Sequence, residues 1–554
     1  MKTINKFLLS LGVMASMGLG ACTGDLDLTP TDPEKVTQEN FKDNPEAAMD
    51  ALMGDVYLQF ATYGADGNAS VSGTDGGMTT FQRALFILQE VPTDEANWLP
   101  AGDADYGLIQ YGIAVPNNVI MYGIYSRLMI NVAVCNDFIQ SVNDDIFGSL
   151  SAEAKVKAQE YIRQCRILRA ACYYYLIDLW GNVPYADENV KLGDIPQQMP
   201  RAELFDIVTK ELETIVREYG SDASQSWGYV GKEVAEALLV KFYLNAEVYA
   251  GQSRWADCIR HAQNIIARHQ TAGFVAEDGT PTGLCINYNQ AFCANNRQYA
   301  NGGASPVSEN LWVIPQDTQR LDSYANSMFL IAGWIGGDQN GMYNFSEAWK
   351  CMSTRPEFAA LFAWDSAMAS SEDQRVRWWC TSAQGFSFDK LVYDQGSWGN
   401  NGYLAIKYTN WIIDDNGNVD PNVTQPNATG FINNDYAVIR LAEIYLSAAE
   451  ASMHTGDTGT ALKYVNYIRE RAGLQTWSDA DLSFNSLYDE RARELYTENC
   501  RRTDLIRAGR WISGYNWTWK NQVQGGQDFP SHYNLYPLPT TVVELAGYKQ
   551  NPGY

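Results

Sequence analysis

Residue types that do covalent chemistry are few in this 554-residue chain and are not spaced for it. There are four histidines, His261, His269, His454 and His532, and neither an HExxH nor a GxSxG motif occurs. With 65 acidic residues, carboxylate pairs of the kind a glycoside hydrolase sets across its scissile bond arise by chance, so they carry no weight. Apart from Cys22, nine cysteines remain, with no CxxC and no regular spacing, which points to neither a zinc site nor a disulfide framework. Cys165, Cys172, Cys258 and Cys500 fall in helical patterns and read as buried thiols; Cys285 and Cys293 are close enough in sequence to pair. Asp414, Asn416 and Asn418 supply oxygens at the alternating spacing that Ca2+ accepts. The loop lacks a bidentate Glu at its twelfth position, so a solvated turn is the favoured reading and a structural Ca2+ the other. No cofactor is required. What the chain has in surplus is aromatic, 16 Trp and 33 Tyr, a composition suited to a neutral ligand with flat apolar faces.

The charge excludes one class of partner. With 40 basic residues against the 65 acidic, the formal net charge is -25, and such a surface repels nucleic acid, whose binding draws on Lys and Arg at the phosphates. At the N-terminus Lys2 and Lys6 precede an apolar run from Phe7 to Leu19. That run has the length of a secretory h-region and is shorter than the roughly 20 residues of a membrane span. It ends in LGAC at residues 19–22, which resembles a bacterial lipobox with Cys22 as the acylated N-terminus. An ordinary signal peptide with an incidental Cys is the alternative. Acyl chains, at about 0.8 kcal/mol per buried methylene, hold a soluble body durably at a membrane. The polar, Pro-broken stretch TGDLDLTPTDPE then reads as a tether. The expected organisation is a leader over 1–21, an acylated Cys and flexible tether over 22–40, and one domain over 41–554.

Within that domain the positioning elements are helices. Ala235, Leu239, Phe242, Ala246 and Tyr249 make one apolar face over residues 233–251, which Gly251 stops. Ser253 is the expected N-cap of a second helix carrying Trp255, Ile259, Ala262 and Ile266. The same plan recurs over 439–474, with GDTG as the turn, and further helices are predicted at 117–141, 153–180, 201–219 and 485–510. Helix pairs with small residues at the crossing and a Gly turn look like tetratricopeptide units, which must stack because no pair buries its face alone. Repeats are expected over roughly 117–270 and 437–512. Residues 63–115 and 271–436 instead crowd Gly, Asn, Trp and Tyr into turns, and loops that long usually carry function.

Several blocks along the chain resemble the SusD/RagB family of outer-membrane lipoproteins. They are the lipobox, RILRAACYYYLIDLWGNVPY at 166–185 preceded by Arg163, PRAELFDIV from 200, and GKEVAEALLVKFYLNAEVYAG from 231. RLAEIYLSAAEA from 440, RERAGL from 469, ERARELYTENCRRTDLIRAGRW from 490, YPLP and the terminal QNPGY complete the series. The resemblance implies a mainly α fold, with four tetratricopeptide-like helix pairs forming a right-handed superhelical scaffold and a large loop-rich region inserted between them. It implies a non-catalytic, surface-exposed binder of oligosaccharide or polysaccharide, such as starch or another neutral glucan. Members sit as a lid on a SusC-like TonB-dependent β-barrel transporter and are anchored in the outer membrane by lipid. A peptide-binding member of the same family is the alternative, and a glycoside hydrolase a weaker one.

The resemblance also suggests site residues. In the block 74–98, Asp75 and Arg83 match an Asp and an Arg that line the family's sugar site. Trp98 matches the first of two tryptophans there, while Pro100 stands where the second, stacking one would be. Asp103 falls on a sugar-contacting Asn, and Tyr324, eight residues after Gln316, on a second aromatic. For the third ring Tyr343, following Asn340, Gly341 and Met342, and Trp334 both stand in Gly- and Asn-rich sequence. The chemistry is consistent with this without the family: C–H faces of pyranoses pack on Trp and Tyr, and Arg or carboxylate groups bond hydroxyl pairs. Each residue also has a plain packing role open to it, Asp75 and Arg83 as a pair, Trp98 and Tyr324 as core. The arginines at 163, 166, 169, 491, 493, 501, 502 and 507 read as scaffold ion pairs.

Overall fold

Helices begin where the chain offers an oxygen to the first free N–H groups. The computed structural model describes residues 44–62, 76–99, 104–191, 193–299, 309–318, 321, 326–335, 341, 343–363, 371–377, 379, 403–420 and 431–554. The leader, Cys22 and the tether, together with Asp75, Asp103 and Tyr324, lie outside the described residues. Asn44 caps α1 (Pro45–Ala61), Asn118 caps α3 (Val119–Ser141) and Ser151 caps α4 (Ala152–Leu179), each accepting from the backbone N–H three residues on. Between α1 and α3 runs α2 (Phe81–Gln89), all of whose residues are buried. The chain continues through α5 (Arg201–Tyr219), α6 (Lys232–Leu244) and α7 (Trp255–His269), then after a long irregular region through α8 (Asn326–Ala332). The last part holds α9 (Leu441–Thr455), α10 (Thr458–Arg471), α11 (Phe484–Leu495) and α12 (Arg501–Arg507).

The fold is mainly α. α3 packs on α4, α4 on α5, α5 on α6, α6 on α7, α7 on α9 and α9 on α10. α7 and α9 are thus neighbours although residues 270–440 intervene. Those intervening residues are drawn back by β2 (Asn310–Ile314), which pairs antiparallel with β4 (Tyr436–Arg440) just before α9. A second short pair joins β1 (Asn97–Trp98) to β3 (Met352–Ser353).

Three boundaries differ from the periodicity, each for a tertiary or side-chain reason. The helix predicted over 233–251 breaks at Asn245, whose Nδ2 donates to the Lys241 carbonyl (2.9 Å) while its Oδ1 accepts from Arg507 (2.9 Å). A side-chain amide that takes a backbone partner competes with the helix ladder. Ser253 does not cap α7; its hydroxyl bonds Glu247, and Arg254 stands at the cap. The helix predicted over 485–510 is split at Tyr496–Cys500, with Thr497 and Asn499 in the left-handed region at φ 65° and 60°. Buried carboxylates from the turn after α2 hold this break open: Glu95 accepts from the Thr497 N–H and Glu90 from the Cys500 N–H, each at 2.7 Å.

The predicted scaffold arginines mostly find acids. Arg163 pairs with Glu160, Arg166 with Glu211 and Glu218, Arg169 with Glu188 and Glu211, and Arg501 with Asp94. Arg491 and Arg507 share Asp504, and Arg493 pairs with Glu490. Arg502 is the departure, donating to the carbonyls of Tyr533 and Asn534 and lying on the Tyr536 ring at 4.3 Å. A second, fully buried lattice ties the inserted region to the repeats. Arg440, at the end of β4, bonds Glu309, Glu494 (3.1 Å) and Glu498 (2.6 Å). Arg471 bonds Glu309 (2.9 Å) and Glu494 (2.5 Å), and Arg375 bonds Asp373 (2.7 Å), Glu490 (2.7 Å) and Glu494 (3.2 Å). Burial by itself would raise the Glu494 carboxyl, but Arg471, Arg440 and Arg375 outweigh it and hold the group below its usual range.

Glu494→Gln leaves three buried guanidiniums short of charge and is expected to destabilise the chain by about 3–5 kcal/mol, read as a fall in the urea midpoint. Glu90 behaves oppositely: burial pushes its carboxyl from the ordinary 4.5 up to about 7. A raised carboxyl makes the folded state the better proton binder, so its contribution is complete below the unfolded value and is lost as pH rises through about 7. Glu90→Gln keeps the acceptor for Cys500 and is expected to flatten the decline of unfolding free energy across that window. An unchanged slope in urea titrations at several pH values would refute this.

Candidate functional site

One buried cation of the loop-rich lobe lies among aromatic rings. Arg83 on α2 places its guanidinium 4.8 Å from the Phe329 ring centre on α8 and 6.0 Å from that of Trp349. Phe86, one turn later, meets the same Phe329 ring at 5.5 Å. A guanidinium over aromatic faces gains quadrupole attraction that strengthens as water is excluded, and Arg83 is only 8% exposed. Its Nε has no hydrogen-bond partner among the described residues.

Trp349 is brought there by the backbone after α8. Its N–H donates to the Ala332 carbonyl (2.8 Å), that of Lys350 to Ile335 (2.8 Å), and those of Cys351 and Met352 to Gly333 (2.7 and 2.9 Å). A Cβ at Gly333 would stand 2.7 Å from the Phe329 carbonyl oxygen and 2.6 Å from the Met352 side chain, so the close approach requires glycine. Met352 then pairs with Trp98 across β1 and β3. Farther along, Asn344 and Asn410 exchange side-chain amide bonds to each other's carbonyls (2.9 and 3.0 Å), and the Asn410 N–H donates to the Tyr343 carbonyl (3.1 Å), clamping the two segments together there.

Of the ring candidates named from sequence, the described ones are walls and not platforms. Trp98 is 1% exposed and stacked on Tyr106 with centroids 4.2 Å apart and planes 8° from parallel. Trp334 is 0% exposed, and Tyr343 is buried against Trp411 at 5.3 Å. A ring with both faces covered cannot pack on a sugar, so the expectation that Trp98, Trp334 or Tyr343 presents a face is corrected for this conformation. Among the described residues of the lobe, Trp349 and Trp411 are half-buried tryptophans, neither of them singled out from the sequence. Their only sequence signal is residence in loops. Arg83 does come together with an aromatic lobe; its proposed partners Asp75, Asp103 and Tyr324 lie outside the described residues.

Beside Trp411 the acidic run forms a hairpin turn closed by the Ile413–Val419 bridge. The Asp414 carboxylate accepts from the Asn416 N–H (2.9 Å) and the Asn418 N–H (2.7 Å), so its oxygens are engaged in an Asx-type turn. Asn418 directs its Nδ2 to Asp414 (3.4 Å). Among the described residues no group of three His, Cys, Asp or Glu is placed to hold a metal ion. Cys285 and Cys293 are free thiols. Cys285 packs in the main core, while Cys293 packs beside Ile413.

All four histidines are packing or hydrogen-bonding groups. His261 lies 3.0 Å from Glu213 and His269 3.0 Å from Glu233. His454 stacks on Trp255 at 4.0 Å and His532 meets Tyr554 at 4.9 Å.

Known proteins share this sequence and this fold. Residues 373–554 match the model of the SusD family. The starch-binding protein SusD of Bacteroides thetaiotaomicron is 27% identical, with 99% of this chain and 98% of that protein aligned. A SusD superfamily protein from Parabacteroides distasonis superposes with a TM-score of 0.65 at 18% identity, covering 94% of this chain and all of the other. Surface glycan-binding protein A from Bacteroides thetaiotaomicron, in complex with laminarihexaose, superposes with a TM-score of 0.61 at 18% identity, covering 91% of this chain and 99% of that one. The family model falls on the part that carries β4, α9 to α12 and the buried Arg440–Glu494 contact, the alignment to SusD runs the length of the chain, and the chain is accordingly similar to the SusD/RagB family in sequence from end to end.

Proposed function

We propose that this chain is a non-catalytic, lipid-anchored protein of the outer-membrane surface that captures an oligo- or polysaccharide and passes it to a SusC-like TonB-dependent transporter. The observation that carries the binding half is the loop lobe itself, in which half-buried Trp349 lies beside the buried Arg83 guanidinium and half-buried Trp411 follows the Asn344–Asn410 clamp. Flat rings fixed at low entropy cost suit the C–H faces of a neutral pyranose. The relative named for starch binding and the neighbour holding laminarihexaose favour a glucan as the polymer class. Histidines committed to packing favour binding over catalysis. The lipobox-like LGAC before Cys22 supports the anchor, and a net charge of -25 suits a soluble body held off a membrane.

Affinity electrophoresis against a panel of polysaccharides tests the capture. Retardation by at least one neutral glucan is expected, weakened about fivefold by Trp349→Ala or Trp411→Ala, as one stack of about 1 kcal/mol predicts. Absence of retardation by every glycan would remove the reading. Trp98→Ala should act differently, lowering the urea-derived stability by about 3–5 kcal/mol because it empties a core position. For delivery, mild-detergent extraction of the native full-length chain is expected to bring a TonB-dependent barrel with it; recovery of the chain alone would discard that half.

A further inference from the structure

α2 has a second face. Two residues before Arg83 on this helix, Phe81 points away from the Arg83 lobe, because residues i and i+2 do not share a helical face. Phe81 packs on Phe60 of α1 (4.9 Å) and on Trp312 of β2 (6.1 Å), and Phe60 meets Trp312 at 6.1 Å. Trp312 and Phe60 form part of the wall of a cavity of about 530 Å3 that opens between α1, α4, β2 and the turn at 226–229. Its size falls in the range of small-ligand clefts, roughly 300–1,000 Å3.

Tyr57 and Trp227, on the other walls, are anchored at their polar ends. Tyr57 donates its hydroxyl proton to Gln164 (2.9 Å) and accepts from the Val230 N–H (3.0 Å). Trp227 donates its indole N–H to buried Asp435 (2.6 Å), which also takes Arg297 and the Gln316 N–H. Tyr229, 43% exposed, stands edge-on to Tyr57 at 5.0 Å. The turn that presents Trp227 and Tyr229 is seated on Pro315 through Gly228, where a Cβ would come within 2.7 Å of the Pro315 ring and φ is +83°. The rings are therefore held before any ligand arrives, which lowers the entropy cost of binding.

The polar groups at the mouth select the ligand class. Asp50 pairs with Lys157 and accepts from the Tyr161 hydroxyl (2.9 Å), with the ion pair about half exposed. The charges cancel each other, so the mouth favours no ion. A carboxylate acceptor beside ammonium and phenol groups matches adjacent hydroxyls on one ring. Flat apolar walls with such a rim fit a polyhydroxylated neutral ring better than a peptide side chain, which lacks the vicinal donors and acceptors. We infer that this cavity is a second sugar-binding site, on the opposite side of α2 from the Arg83 lobe, that takes a neutral pyranose unit of the captured polymer. It rests on the glycan-capture reading above. Two sites on one body would raise avidity for a long chain without tightening either site.

The full chain labelled with 5-fluorotryptophan tests this, with the Trp227 19F resonance assigned by Trp227→Phe and with maltohexaose, laminarihexaose, mannohexaose and xylohexaose as probes. A hexasaccharide that gives binding heat is expected to shift the Trp227 signal, to do so still in the Trp349→Ala and Trp411→Ala double variant, and to need about fivefold more sugar in Tyr229→Ala. A Trp227 signal unmoved while calorimetry on the same sample records binding overturns the second site and leaves the capture reading standing. A shift that vanishes in the lobe variant, or that survives Tyr229→Ala at unchanged affinity, also overturns it. No heat and no shift with any probe ends both.

Discussion

Glu494 accepts from Arg375, Arg440 and Arg471, all fully buried, and these partners come from three different parts of the chain. Arg375 belongs to the inserted region, Arg440 ends the strand that leads into α9, and Arg471 ends α10. Glu309 adds a second carboxylate between Arg440 and Arg471. Ions taken from water lose hydration worth several kcal/mol each, and only a closed arrangement restores it. The lattice can therefore be satisfied in essentially one register of the insertion on the repeats. β2 pairs with β4 in that register.

From this anchor two rigid supports diverge along α2. On one face Arg83, Phe86 and Phe329 lie beside the backbone of 349–352, which bonds back to Ala332, Gly333 and Ile335 and carries Trp349. On the other, Phe81 and Trp312 back an aromatic cavity closed by the turn on Pro315. A fully buried nine-residue helix is thus the partition between the lobe and the cavity. Its end is held by Glu90 and Glu95, whose carboxylates reach across to the break between α11 and α12. The helix break and the partition are one construction.

Much of the scaffold is legible in the sequence. Gly251 and the GDTG turn end helices where expected, Gly251 and Gly456 both lying in the left-handed region, whereas the one expected N-cap, Ser253, does not cap its helix. The break at Asn245 left no periodic trace, since the apolar stripe runs on through Ala246 and Tyr249. The rings were harder still. Trp98 in PTDEANW and Trp349 in FSEAW stand in equally loop-like sequence, yet one is fully buried and stacked on Tyr106 and the other is half-buried.

The sequence by itself determined the helical periods, their glycine stops, the acidic and aromatic composition, the leader pattern and the blocks shared with the SusD/RagB family. Those features are local: a 3.6-residue period, a residue that tolerates positive φ, a short motif. Only the tertiary structure decided which rings keep an open face, where the last long helix is interrupted and which acid each buried arginine meets. Burial and ion pairing depend on residues far apart in the chain, such as Arg440 with Glu309 or Glu95 with Thr497, and no window of sequence contains both partners.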